Sequence, residues 1–368
     1  MDSRIQRLAN QIVSYACDVK RGENVYIEGL GFSASPLVQA LIKKIYEVGA
    51  NPYYEITEGS IIRALILGCN AEQIDYHFTH LAEKIEKMDV YIAIGSFSNS
   101  FDLRNIPVDK MSTFFAAQNK IVKVRQKKRY LVTRFPNIAL AQKMSMDTET
   151  FEDFYYSICN FDYSKLSLAM DALVSLMKRT DKVRLKAKGT DINFSIKGMD
   201  VVKCDGKVNL PDGEVFTAPI KNSVNGHISF SGPSSYQGFT FTDISLFIED
   251  GKIIEASANN KEALNQIFDK DDGSRYIGEF AIGTNPFITR MVDDILLDEK
   301  ISGSIHLTPG AAYPVADNGN KSSIHWDMVL MMDEAHGGGE IYFDEILIQK
   351  DGVFVLESLK ALNRENFI

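Results

Sequence analysis

Residues 24–56 read NVYIEGLGFSASPLVQALIKKIYEVGANPYYEI. Three patterns follow one another here without a break. NVYIEGL is rich in β-formers and reads as a strand. SPLVQALIKKIYEVGA carries Leu37, Leu41, Ile45 and Val48 along one helical face, with Pro36 near its start and Gly49 as a C-terminal stop. NPYYEI then returns to strand texture. A strand, a helix and a second strand in close succession predict a parallel pair joined by a helical crossover of the usual hand. Working outward, Ile5, Leu8, Ile12 and Ala16 keep helical spacing upstream, and DVYIAIGS adds another strand downstream. The first part of the chain is therefore expected to be an α/β domain whose parallel sheet is covered by helices.

Two further helical patterns, TETFEDFYYSIC and SKLSLAMDALVSLMKR, precede a change of texture. From Lys182 onward KVRLKAKG, DINFSI, FTFTDISLFI and KIIEASA alternate with period two, and Asp250-Gly251 and Asp351-Gly352 mark hairpin turns. KEALNQIF and FITRMVDDILLDEK, the latter following Pro286, read as helices between strands. The expectation is an N-terminal α/β domain over 1–180 and a C-terminal α+β domain over 181–368, rich in antiparallel strands and closely packed on the first.

The 368 residues carry a net charge of −9, which argues against a nucleic-acid partner. The one basic run, KIVKVRQKKR at 120–129, reads as a solvated loop or strand edge. Cys17, Cys69, Cys159 and Cys204 are scattered without CxxC spacing, so reduced, buried thiols are expected. The amphipathic start and the lack of a long apolar span point to a cytoplasmic protein that does not enter a membrane.

The chemistry concentrates in the second half. SSIHWDMVLMM, 322–332, contains the only tryptophan, Trp326, between His325 and Asp327. In an extended strand Ile324, Trp326 and Met328 share one face, and His325 and Asp327 share the other. His306 in GSIHLTPG has the same setting: apolar neighbours lie on the opposite face and a small serine two residues away leaves room in front. Glu279 in YIGEFAIGTN lies in a strand that reads as covered on both sides, where a lone carboxylate is costly unless a metal or a salt bridge meets it. Either partner fits Glu279 taken alone. Glu214, in a DGE turn, taken alone fits a solvated position better than a ligand's. Tyr313 in GAAYP reads by itself as a core tyrosine, and beside a metal centre as a ligand or an oxyanion donor. His77 and His80 in YHFTHLAEK, with His227 and His336, read as surface or structural histidines. Glu214, Glu279 and Asp327 with two neutral imidazoles form a donor set suited to two divalent ions, which zinc, cobalt or manganese would satisfy.

With these residues in view, LPDGEVFTAP, SVNGHISF, GEFAIGTN, ILLDEKISGSIHL, GAAYP, SSIHWDMV and GEIYFDEILIQKDGVF follow one another through most of the second half. VKRGENVYIEG and RFPN followed by MSMDTETFEDF stand nearer the start. As a set they resemble the M29 family of metallo-aminopeptidases over nearly the whole chain. The resemblance implies two divalent ions held by Glu214, Glu279, His306, Tyr313, His325 and Asp327. It also implies hydrolysis of N-terminal peptide bonds of short peptides by a water activated between the ions, and a homodimer; by their own chemistry Glu214 or Glu279 is the catalytic proton carrier and Tyr313 the catalytic oxyanion donor expected beside them. The rivals are another dimetal hydrolase, such as a dipeptidase or amidase, a non-catalytic binding protein holding a structural ion, and an internal salt-bridge network. Trp326 is expected to anchor the strand from behind and so fix the angle at which His325 and Asp327 are presented.

Overall fold

The computed structural model describes residues 2–99 and 101–368. Its contacts group the chain into two compact units, Met1–Phe161 with Gly206–Pro211, and Asp162–Asp205 with Asp212–Ile368.

Unit 1 is the expected α/β layer. Strands β1 (Asn24–Leu30), β2 (Asn51–Thr57), β3 (Val90–Gly95) and β4 (Arg129–Arg134), with the short β8 (Asn209–Leu210), form one sheet in the order β2-β1-β3-β4-β8. Every pairing in it is parallel. Helices α1 (Ser3–Gln11), α2 (Ser35–Glu47), α3 (Gly59–Gly68), α4 (Ala71–Glu86), α5 (Val108–Arg125), α6 (Ile138–Lys143) and α7 (Thr148–Asn160) surround it. Leu37, Leu41 and Ile45, the predicted stripe of α2, are fully buried. On one sheet face Tyr26 and Tyr91 pack beneath α3, α4 and α5 through Ile66, Phe78 and Phe114, so apolar burial fixes those helices on the sheet.

The basic run departs from expectation. Lys120–Arg125 completes α5 rather than a loop, and the turn after it leads into β4. Lys123 and Arg125 fall in the last helical turn, where cations meet the negative end of the helix dipole. Lys120 binds Asp75 at 2.6 Å, and Lys128 donates to the Glu86 carbonyl at 2.6 Å. These charges are used locally.

Unit 2 begins with α8 (Tyr163–Met177), whose Leu166, Met170, Leu173 and Met177 are buried as the apolar stripe requires. Its strands in chain order open with β5 (Lys182–Ala187), β6 (Thr190–Ser195), β7 (Val202–Cys204), β9 (Glu214–Thr217), β10 (Asn225–Ser229), β11 (Ser234–Tyr236) and β12 (Phe239–Phe241). They continue with β13 (Ser245–Glu249), β14 (Lys252–Ser257), β15 (Ile277–Gly283), β16 (Ser304–Pro309), β17 (Met328–Met331), β18 (Gly339–Phe343), β19 (Ile346–Lys350) and β20 (Val353–Phe354). Eight make an antiparallel sheet, β14-β13-β10-β6-β5-β18-β19-β20, and five make a second, β17-β16-β15-β9-β7. Phe194 of the larger sheet meets Phe280 of the smaller at 5.0 Å between ring centroids, so the apolar face of β15 is turned to the larger sheet. Both Asp-Gly pairs form the predicted turns, with positive φ at Asp250, Gly251, Asp351 and Gly352.

Three local expectations are corrected. FTFTDISLFI is two strands, because Asp243 turns the chain with φ 56° between β12 and β13. FITRMVDDILLDEK is not one helix. KEALNQIF does form a helix, α9 (Lys261–Phe268), but 287–300 supplies only α10 (Ile295–Asp298), because Asp293 takes φ 57° and the Asp298 carboxylate accepts the Val292 N–H at 2.7 Å, replacing a backbone acceptor. In SSIHWDMVLMM the regular ladder starts only at Met328, and His325 makes a single bridge to Gly310. The alternation nonetheless holds there: Ile324, Trp326 and Met328 are buried, while His325 and Asp327 are partly exposed. No helix among the described residues is long and apolar enough to cross a membrane.

Candidate metal centre

The five-stranded sheet of unit 2 brings distant stretches onto one face by register. Glu214 stands opposite Gly283, Ala281 opposite His306, and His306 opposite Val329. Directly paired residues of antiparallel strands point the same way, and so do residues two apart. Glu279, two before Ala281, and Asp327, two before Val329, therefore join Glu214 and His306 on that face, and His325 follows on the extended chain. Gly283 is needed at the Glu214 position, since a Cβ there would lie 2.1 Å from the Ile301 carbonyl oxygen.

The resulting contacts are close. His306 Nε2 lies 3.2 Å from Glu279 Oε1 and 3.8 Å from Glu214 Oε2. His325 Nε2 lies 3.6 Å from Glu279 Oε2 and 3.3 Å from Asp327 Oδ1. Glu279 thus faces one imidazole with each oxygen. Both rings are oriented from behind: Nδ1 of His306 reaches the Glu299 carbonyl at 3.3 Å, and Nδ1 of His325 the Ala311 carbonyl at 2.8 Å. An Nδ1–H donated to a carbonyl leaves Nε2 as the nitrogen aimed at the cluster. Thr308 donates to Asp327 Oδ1 at 2.5 Å. The Tyr313 ring packs 4.6 Å from the His325 ring and 5.7 Å from Phe216, with the residue 47% exposed. Behind His325, Trp326 is buried, stacks on Tyr236 at 4.7 Å, and donates its indole N–H to Ser234 at 2.9 Å.

The electrostatics of the bare protein show how strongly this face attracts positive charge. Burial alone would lower His306. The hydrogen bond that His306 donates to Glu279, with the charges of Glu214, Glu279 and Asp327, reverses that and lifts it to about 10. His325 rises to about 9 against the same burial, chiefly through Asp327. Burial raises Glu279, opposed by His306, while Asp327 is held below the ordinary carboxylate range because His325 outweighs its burial. Despite these contacts, Glu214 Oε2 and Glu279 Oε2 are buried acceptors that no hydrogen bond in the protein meets. Two imidazole nitrogens and several carboxylate oxygens, two of them left open, fit divalent cations. Glu279, His325 and Asp327 offer ligand atoms all within 4.8 Å of one another.

All six residues singled out from the sequence come to this region of unit 2. The sequence reading missed Lys300. This lysine is fully buried, with Nζ 2.6 Å from Glu299, 3.1 Å from Glu214 and 3.5 Å from Asp212. Its signal was the cation of DEKISGSIH placed just ahead of the His306 strand. Glu214, read as fitting a solvated turn, is 6% exposed. His77 and His80 lie on the exposed side of α4, along a cavity of about 580 Å³ that Glu28, Glu55 and Lys84 also line.

Comparison with known proteins follows the same lines. The sequence profile of the family described as "Thermophilic metalloprotease (M29)" matches residues 1–354. The chain is 31% identical over 160 residues to "Aminopeptidase AmpS" of Bacillus subtilis (strain 168), covering 39% of this chain and 38% of that protein. It is 32% identical over 190 residues to "Aminopeptidase T" of Thermus aquaticus, covering 44% and 46%. The matched stretch therefore spans less than half the length of these curated relatives. Among solved structures, "Wild-type AmpT from Thermus thermophilus" superposes with a TM-score of 0.79 at 19% identity, covering 96% of this chain and 99% of that one. The 2,5-dihydroxypyridine dioxygenase of Pseudomonas putida KT2440 gives 0.61 at 14% identity, covering 97% and 99%. At such identities these two likenesses concern the fold alone.

Proposed function

The chain belongs to the thermophilic metalloprotease (M29) family, and from that premise we propose that it is a metal-dependent aminopeptidase releasing the N-terminal residue of short peptides. The observation that carries the reading is the pair of open, buried oxygens, Glu214 Oε2 and Glu279 Oε2, each facing an imidazole Nε2. The names of the relatives, aminopeptidases all, supply the reaction class.

In this reading two divalent ions, zinc, cobalt or manganese, would be held in adjoining seats, an inner one lined by Glu214, Glu279 and His306 and an outer one lined by Glu279, His325 and Asp327, with Tyr313 beside it. Such ions supply a water of lowered pKa and polarise the scissile carbonyl. The rest falls to the chain. Glu279 would serve both seats, and the carbonyls of Glu299 and Ala311 hold Nδ1 of each imidazole so that Nε2 faces the cluster. The carboxylates Glu214 and Glu279 are the acceptors available for the proton that must travel from the attacking water to the leaving amine. Tyr313, at the more open edge, offers its hydroxyl to an ion or to the carbonyl oxygen as charge develops there. A cytosolic location agrees with the four unpaired thiols, and the family resemblance adds a homodimer.

The test is release of free amino acid from a tripeptide and from aminoacyl-p-nitroanilides by protein stripped with chelator and resupplied with zinc, cobalt or manganese. Activity lost with chelator and restored by metal is expected. Tripeptides left intact under every metal, while ions still bind, would refute the peptidase reading. Light scattering of the purified chain checks the dimer.

A further inference from the structure

Lys300 has no part in the two seats described above, yet it is as deeply buried as any side chain in unit 2. Burying an ammonium is costly unless several anions meet it, and here three do, at 2.6, 3.1 and 3.5 Å. Two of them have a second identity. Cys204, Asp212 and Glu214 offer ligand atoms all within 4.8 Å of one another, a thiol with two carboxylates in a geometry that suits a divalent ion. The ammonium already binds two members of this group. Glu214 connects the two regions: Oε1 accepts from Lys300 Nζ at 3.1 Å, and Oε2 is left open toward His306.

We propose that Lys300 is a built-in cation: its ammonium fills a third seat formed by Cys204, Asp212 and Glu214, keeps divalent ions out of it, and turns one oxygen of Glu214 toward the seats bridged by Glu279. Lys300 is thus a positioning residue acting through Glu214. The proposal rests on the metal-centre reading for what Glu214 Oε2 does. Exclusion from the third seat stands on the lysine cluster by itself.

The consequence is specific. Without the ammonium, Asp212 and Glu214 lose the cation that lies 3.5 and 3.1 Å from them, beside the half-buried Cys204 thiol, and a divalent ion is the natural replacement, with Cys204 as a thiolate ligand. The experiment uses the full chain, stripped of metal and titrated with Co(II). Ions per chain are counted by equilibrium dialysis with elemental analysis, and absorption is followed in the near ultraviolet, where thiolate-to-Co(II) charge transfer appears. The parent is expected to show no such band. Lys300→Ala is expected to bind one more Co(II) per chain and to gain the band, and Lys300→Ala with Cys204→Ser to lose it. Lys300→Gln, which keeps a polar side chain in the space, should also gain the band if Lys300→Ala does not fold. A purely packing role for Lys300 would change stability and leave the absorption untouched.

Either of two results overturns the proposal: a thiolate band in the parent, or a folded variant that binds no additional ion. Failure of both variants to fold even with Co(II) present overturns it too, because an ion seated only in the folded state must stabilise that state. A parent that binds no Co(II) would instead sink the metal-centre reading, and a band gained by the variants would still support the assignment of Lys300.

Discussion

In unit 1, Glu28 and Glu55 stand opposite each other on β1 and β2, and each accepts a tyrosine hydroxyl, from Tyr91 and Tyr26. In unit 2, Glu214 and Glu279 are buried on a sheet face with one oxygen apiece that no hydrogen bond among the described residues meets. Both are pairs of carboxylates on a sheet, and burial raises Glu28 as it raises Glu279. The difference lies in the donors. A phenol satisfies an acceptor without bringing charge, so the unit 1 pair, with Lys84 3.3 Å from Glu55, is complete as it stands. On the unit 2 face no hydroxyl among the described residues meets Glu214 Oε2 or Glu279 Oε2, and imidazoles are aimed into it instead, which is how a protein leaves room for a cation. What separates a structural acid from a candidate ligand here is which donors surround it, more than how deep it lies.

That contrast is most exposed at Glu279. Replacing it with glutamine removes the charge that the two proposed seats would share. Isothermal titration with Zn(II) or Co(II) should show affinity falling by more than the ~10–100-fold usual for residues behind a metal site. Glu28→Gln should leave metal binding unchanged. Equal losses in the two variants would erase the distinction drawn above.

Trp326→Ala comes next. It empties a buried aromatic position behind His325, a change that typically costs about 3–5 kcal/mol, and it frees the chain that presents His325 and Asp327. Urea unfolding should show the stability loss, with metal affinity falling ~10–100-fold alongside it. Stability lost with affinity intact would mean that the indole only fills the core.

A pH series sharpens the same point. His306 and His325 are lifted to about 10 and about 9 in the bare protein, above the ordinary 6.5. Both therefore carry protons at neutral pH, and a metal must displace them, so affinity should rise as pH rises toward about 9. Binding near pH 7 should release protons, read as a dependence of titration heat on buffer ionisation enthalpy. The sign for the metal-free fold is opposite. A raised histidine contributes stability that is present below pH 6.5 and lost as pH climbs through 9 to 10. Heat independent of buffer would mean that the imidazoles are already neutral.

Much of this was legible in the sequence, and for identifiable reasons. The β1-α2-β2 succession has clean periods of two and 3.6, with Pro36 and Gly49 as punctuation, and such patterns survive tertiary context. The six site residues lie on or beside short alternating strands, so the opposite-face argument applied to His306, His325 and Asp327 even though the ladder begins only at Met328. FITRMVDDILLDEK failed because its helical period is real but locally overruled: Asp298 bonds backwards to the Val292 N–H, and Asp293 adopts positive φ. The burial of Lys300 could not be read, although its cation stands just ahead of the His306 strand. A lysine next to two acids looks like a solvated turn, and its burial depends on Asp212 and Glu214, far from it along the chain.

The smallest effect tests the other half of the comparison. Tyr91→Phe removes the hydroxyl that Glu28 accepts and leaves the ring to pack as before, so the loss should be about 1–3 kcal/mol, the cost of a buried acceptor left unmet. It should also depend on pH. Glu28 is raised above its ordinary 4.5 by burial, and the Tyr91 hydrogen bond opposes that rise. A carboxyl raised in the folded state favours the protonated form, so stability falls as pH climbs above 4.5. Without the hydroxyl the rise is larger and the fall extends further. Urea unfolding at pH 5 and pH 8 should therefore show a greater deficit for Tyr91→Phe at the higher pH, with metal stoichiometry unchanged. A deficit equal at both values would mean that Glu28 finds another donor once the phenol is gone, and that the tyrosine pair is not what completes this face of unit 1.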